Sequence, residues 1–196
     1  MQQSRSSRRA KGDRTRAALV DAGMRLFDTL GVEQTSVDQI VAAARVAKGT
    51  FYVHFEHKTD VLLERAAGLI SALTDAELPH DAPDALIALG DRVAAEMSAQ
   101  PRRLMGRMVR EIIGNREDWI RVLGRRPTLN SIILPIVERG RAAGELRRDL
   151  SAGRTAQGLT ILWLDAVIGW SERRTSLPLE EDLRRATALF LVGAQE

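Results

Sequence analysis

Apolar residues recur at three- and four-residue spacing almost from end to end, a period that fits helices and not strands. Leu19, Ala22, Leu26, Phe27 and Leu30 form the first such run, and Gly31 follows as a stop. Val37, Ile40, Val41 and Ala44 repeat the spacing over a shorter stretch, with Thr35 or Ser36 placed to cap it. A second short segment over 47–54 carries Phe51 inward, and a longer helix follows with Leu62, Ala66, Leu69, Ile70 and Leu73 on one face. Past Pro79 and Pro83 come a helix with Leu86, Leu89, Val93 and Met97, and another from Pro101 with Leu104, Met105, Met108 and Ile112. Asn115 is placed to cap a short helix through Trp119 and Leu123. Pro127 opens a helix that Pro135 should kink, because proline removes a backbone donor. The turn Gly144-Glu145-Leu146 leads to an apolar helix from Leu159 to Trp170, and Pro178 starts a last helix through Phe190. No stretch alternates as a strand does. The expected fold is all-α with about nine helices.

The distribution of charge divides the chain. Residues 1–16 hold Arg5, Arg8, Arg9, Lys11, Arg14 and Arg16 against Asp13 alone, while residues 61–196 balance. The expected organisation is a basic disordered arm over 1–12, a helix-turn-helix domain over 13–73 with its motif at 36–55, and a helical body over 74–196. With 44% apolar and 28% charged residues the chain has the balance of a soluble globular protein. Its most apolar stretch has twelve residues and contains Asp165, too short for a membrane span of ~20. There is no cysteine, so no disulfide or thiolate metal site is available. His54 and His57 flank Glu56 but lack a third ligand, so no metal is expected. A cytoplasmic protein that uses no cofactor is the expectation. Catalytic motifs are missing as well: no glycine-rich phosphate loop after a strand, no HExxH and no defensible nucleophile triad. An enzyme is therefore not expected.

The most informative stretch is 14–62, where a medium helix is followed by short helices over 36–44 and 47–54. Two short helices joined by Arg45-Val46 form a helix-turn-helix, whose second helix enters the major groove of DNA. Lys48, Gly49 and Thr50 open that second helix, where small residues and outward N–H groups permit close approach to phosphates. Tyr52 and His54 carry groups able to bond a phosphate oxygen, and Lys58 adds a charge at the start of the next helix. The same side chains also fit a half-buried aromatic and ordinary solvated lysines. The two lysines within eleven residues stand out in a chain with three lysines and 26 arginines.

From Ala17 to Leu62 the sequence AALVDAGMRLFDTLGVEQTSVDQIVAAARVAKGTFYVHFEHKTDVL closely resembles the DNA-binding domain of the tetracycline-repressor (TetR) family of bacterial regulators. TSVDQI, KGTFYVHF and the following Lys58 carry the most specific part of that resemblance. It implies a homodimer in which each N-terminal domain reads half of a palindromic double-stranded operator. Carried over by position, Thr35, Ser36, Lys48, Gly49, Thr50, Tyr52, His54 and Lys58 are DNA-facing, and Val53 is exposed toward a thymine methyl. Arg45 stands where the family often has glycine, at a conformational cost and with the option of a phosphate contact. Ala47 stands where the family often has serine or threonine, and so lacks a cap.

ERGRAAGELRRDLS and ILWLDAVIGW also look like the family's regulatory domain. An apolar helix of this kind is buried on two sides, one of which suits a partner. Leu159, Leu162, Ala166, Gly169, Trp170, Leu183, Ala186 and Phe190 are the candidate dimer-interface residues. A central helix in a monomeric core is the alternative. Met97, Met105, Met108, Glu111, Trp119, Asn130 and Trp163 are candidates for the wall of an effector pocket, since methionine adapts to irregular apolar ligands. They equally suit a core. The leading expectation is a DNA-binding repressor released by an unidentified small-molecule effector, with repression inferred from the resemblance. The competing one is a helical interaction module that binds polyanions or protein through the basic arm. That arm has no apolar face, so a membrane partner is not expected.

Overall fold

A computed structural model describes residues 2–75, 77–114 and 127–194. Among them are nine α-helices and no strand. The chain divides into two compact units, residues 1–65 and 66–196. The division falls within a helix rather than after Leu73.

In the first unit, α1 spans Gln2–Leu30 and buries Leu19, Val20, Ala22 and Phe27. Leu26 is only half-buried and Leu30 is exposed. The helix closes at Gly31, whose φ of +89° needs no Cβ to be avoided and whose N–H donates to the Phe27 carbonyl at 3.0 Å. Residues 2–12 are helical, which corrects the expected disordered arm. Gln, Arg, Ala and Lys are good helix formers, and no proline interrupts them. Helix α2 spans Val37–Ala44 and starts with a capping box. The Gln39 N–H donates to Ser36 Oγ at 3.2 Å, and the Ser36 N–H donates to Gln39 Oε1 at 2.8 Å. Helix α3 spans Lys48–His54, and α4 spans Asp60–Ser71. The buried Asp60 carboxylate accepts the N–H groups of Glu56 and His57 at 2.8 and 2.9 Å, which fixes the entry to α4.

The second unit holds α5 (Ala82–Ser98), α6 (Arg102–Gly114), α7 (Leu129–Ala143), α8 (Ala152–Ser171) and α9 (Leu179–Ala194). Helix α8 packs on α6, α7 and α9, and α5 packs on α7 and α9. It starts seven residues before Leu159 because the Ser151 side chain accepts the Arg154 N–H and caps it there. Trp163 is fully buried, and its indole N–H donates to Thr187 Oγ1 at 2.9 Å. The Thr187 hydroxyl in turn donates to the Leu183 carbonyl at 2.8 Å, so both buried polar groups are satisfied. Pro135 lies inside α7. The short helix expected through Trp119 and Leu123 lies outside the described residues, as does the pocket candidate Trp119 itself.

Candidate nucleic-acid interface

The turn between α2 and α3 is set by one residue. Arg45 has φ 57° and ψ 43°, the left-handed conformation, and its N–H donates to the Ala42 carbonyl at 3.2 Å. Val46 follows with its N–H on the Val41 carbonyl at 3.0 Å. The sequence thus places arginine where glycine is the unstrained choice, at about 1–2 kcal/mol for an L-residue. Ala47 then takes the N-cap of α3 in extended backbone and offers no side-chain bond.

Helix α3 has only seven residues, too few to stand alone, and its inner side anchors it. Phe51 is fully buried, and Phe55 just beyond the helix is 3% exposed. Full burial of one such side chain stabilises by about 1.5–3 kcal/mol. Their rings lie 5.6 Å apart, and Phe51 meets Tyr52 edge-on at 5.5 Å. The outer side carries Tyr52 at 55% and Val53 at 79% exposure. Large apolar surface turned to solvent next to fully buried neighbours marks a contact face.

The polar candidates do not share one environment. Ser36, Arg45, Lys48 and Gly49 are exposed, while Thr50 and His54 are half-buried. Lys48 Nζ lies 2.9 Å from Asp38 Oδ1. The hydrogen bond and charge of that carboxylate hold the ammonium above the usual lysine range, so it is charged at neutral pH. Thr35 does not join the exposed set. It is 1% exposed, and its hydroxyl donates to the Gly31 carbonyl at 2.7 Å, so its side chain stabilises the loop. Lys58 Nζ donates to the carbonyls of Glu33 and Thr35 at 3.0 and 2.9 Å. Its charge therefore ties the α1–α2 loop to the start of α4 instead of standing free. No cluster able to hold a metal ion occurs among the described residues, and no helix among them is long and apolar enough to cross a membrane.

Two neighbours of α3 escape a reading of the sequence. Asp38 meets Lys48 across ten residues, and Arg16 reaches the His54 carbonyl across 38. Neither pair has a local pattern that announces it.

In the second unit, Leu159, Trp170 and Leu183 are buried in their own core, as is Ala166. For Leu159, Trp170 and Leu183 this corrects the expectation of a partner-facing surface, because they fall on the inner arc of α8 and α9, whereas Ala166 lines the groove between those helices. Leu162, Gly169, Ala186 and Phe190 are half-buried. On α8 and α9 the large apolar residues turned to solvent are Ile161 at 58%, Leu189 at 69% and Val192 at 79%; Ile113 and Leu150 are exposed elsewhere in the unit. A groove between α8 and α9 is lined by Leu162, Asp165, Gly169, Arg185, Ala186 and Leu189. Met105, Met108 and Trp163 are fully buried, Met97 and Asn130 are half-buried, and Glu111 lies in the last turns of α6.

A short buried-aromatic helix with a solvent-facing Tyr-Val pair, following a capped helix across a tight turn, defines a helix-turn-helix reader of duplex DNA. Residues 19–64 match the family of bacterial regulatory proteins named tetR, and residues 59–193 match the C-terminal domain of TetR/AcrR family transcriptional repressors. The chain belongs to the TetR family: it is a DNA-binding transcriptional repressor, not an enzyme. It is 29% identical over 192 residues to the transcriptional regulator AcuR of Cereibacter sphaeroides, covering 91% of this chain and 86% of that one. It is 29% identical over 184 residues to the transcriptional repressor DhaR of a Mycobacterium species, covering 86% and 88%. Among solved structures it resembles Thermus thermophilus FadR, a TetR-family repressor in complex with lauroyl-CoA. That match has a TM-score of 0.72 and 27% identity over 91% of this chain and 94% of that one.

Proposed function

We propose that this repressor binds a palindromic operator as a homodimer in the cytoplasm, and that a small molecule held in its helical body releases it. One observation carries the operator half of this reading: Tyr52 and Val53 face solvent from a helix whose opposite side is fully buried. In a major groove Val53 meets a thymine methyl, Tyr52 reaches a phosphate, and Lys48 with Gly49 and Thr50 approaches the backbone or base edges. Ser36, Arg45 and His54 flank that contact. Thr35 and Lys58 support it from within the domain.

The dimer reading rests on Ile161, Leu189 and Val192 and on the groove beside them. Those side chains form an apolar outer face on α8 and α9 that the chain itself leaves open. A two-fold dimer supplies the two readers that a palindrome needs. The effector reading is supported by the two methionines of α6 and by Asn130. Its Oδ1 is buried with no hydrogen-bond partner among the described residues, as a polar anchor for a ligand would be. An effector with a large apolar part is the class that methionine-rich surroundings would take, and the similar Thermus protein is in complex with lauroyl-CoA.

Fluorescence anisotropy with the DNA upstream of the protein's own gene tests the operator half, beside a scrambled duplex at several salt concentrations. Specific binding that Tyr52→Ala and Lys48→Ala lose supports the reading. Equal, weak, salt-sensitive binding to both duplexes overturns it in favour of a general polyanion binder.

A further inference from the structure

Arg16 sits where three pieces of the DNA-binding unit meet. From the middle of α1 its Nη1 donates to the His54 carbonyl at 3.1 Å, at the last residue of α3. Its Nη2 lies 2.6 Å from Glu64 Oε2 on α4. The guanidinium carbon stands 4.7 Å from the centre of the Phe55 ring. The side chain is only 30% exposed and that of Glu64 15%. Arg16 Nε is buried with no hydrogen-bond partner among the described residues, so the guanidinium gives up solvation to hold this orientation.

The chemistry of the three contacts is directional. The last carbonyls of a helix have no partner inside it and carry its negative end, and a cation placed there satisfies both. A planar guanidinium serves one carbonyl and one carboxylate at a fixed angle, whereas an ammonium does not. We infer that Arg16 is a positioning residue for the reader: braced by Glu64, it holds the C-terminal end of α3, and so fixes the aim of Tyr52 and Val53, without touching DNA itself. This rests on the operator reading above.

The test uses the full-length protein, a duplex enriched by it from a random library, and the variants Arg16→Lys, Arg16→Gln, Glu64→Gln and the double Arg16→Gln/Glu64→Gln. Glu64→Gln keeps size and hydrogen bonding and so removes the charge with the least risk to folding. In hydrogen exchange without DNA, residues 48–55 should exchange about tenfold faster in Arg16→Gln while residues 37–44 stay as in the parent. Operator affinity should fall about tenfold in Arg16→Gln, fall less in Arg16→Lys, and fall no further in the double variant. The salt dependence of binding should not change. A salt slope lowered by about 1 in the Arg16 variants would show a direct phosphate contact and overturn the inference. Additive losses, or unchanged exchange of residues 48–55, would overturn it as well. If the parent enriches no sequence, the operator reading falls, and the exchange pattern alone still decides whether Arg16 holds α3.

Discussion

Lys48 and Asp38 form an ion pair across the turn of the motif, 2.9 Å apart and both largely exposed. The lysine that opens the reader helix thus spends its charge on the first turn of the helix before it. An exposed pair of this kind adds little to stability. Its effect lies in the charge presented to DNA.

Asp38→Asn should therefore raise affinity for specific and scrambled duplexes alike and steepen the salt dependence by about 1, as the freed ammonium takes a phosphate. Anisotropy titrations over a salt series measure this. An unchanged slope would mean that Lys48 stays clear of the backbone.

The strained turn makes an opposite prediction about stability. Arg45→Gly relieves a left-handed arginine and should stabilise the DNA-binding unit by about 0.5–1 kcal/mol, the relief exceeding the added chain entropy of glycine. Ala47→Ser supplies the missing cap at extended backbone and should add about 1 kcal/mol. Urea unfolding followed through the first transition checks both, and a lowered midpoint for Arg45→Gly would contradict the assigned torsion.

Lys58 is expected to act from within the fold. Lys58→Met loses two charged hydrogen bonds to the Glu33 and Thr35 carbonyls and should destabilise the unit by about 1–2 kcal/mol. The salt slope of the folded fraction should stay at the parent value. A slope reduced by about 1, with stability intact, would return Lys58 to the phosphate-binding set.

Helices α6 and α8 pack closely where Gly106 faces Ser171, and a Cβ at 106 would overlap both Ser171 Cβ and Oγ. On either side of that point Arg102 Nε donates to the Trp170 carbonyl at 2.6 Å, and Arg110 pairs with Glu172. The Arg110 hydrogen bond holds the Glu172 carboxyl below its usual range. Gly106→Ala should cost about 2 kcal/mol or more by overpacking, and Ser171→Gly in the same chain should recover most of it. Thermal unfolding of the single and double variants decides this.

Leu189→Glu and Ile161→Glu place charge on the outer face of α9 and α8. Each should convert a dimer to monomer in sedimentation velocity and lower operator affinity at least tenfold, because one reader then binds a half-site alone. A monomeric parent would refute the dimer reading outright.

Much of the first unit was legible because its signals are local. The Ser36 cap, the Gly31 stop and inward Phe51 all follow from residues within a few positions of one another, while the cost at Arg45 follows from the resemblance to a family that often has glycine there. The N-terminal segment is helical where its charge density alone points to a disordered arm. Position in the motif turns Thr35 and Lys58 toward DNA, and only three-dimensional packing shows their groups satisfied by loop carbonyls. The body was harder for a related reason. An apolar helix buried on two sides gives no phase in sequence, so Leu159, Trp170 and Leu183 looked no different from Ile161 and Leu189. The solvent-facing set emerges only once α5, α6 and α7 have taken the other faces.

Trp163 gives the protein an optical reporter. Its indole is dry, enclosed by α5, α8 and α9 and bonded to a single threonine hydroxyl, so its emission should lie at the blue end of the tryptophan range. Trp170 differs, since the Arg102 guanidinium stands 4.9 Å from its ring. Replacing Trp119 and Trp170 by phenylalanine would leave one tryptophan, at the heart of the body. Any ligand that loosens that three-helix junction would then announce itself as a red shift, with no label and no DNA present.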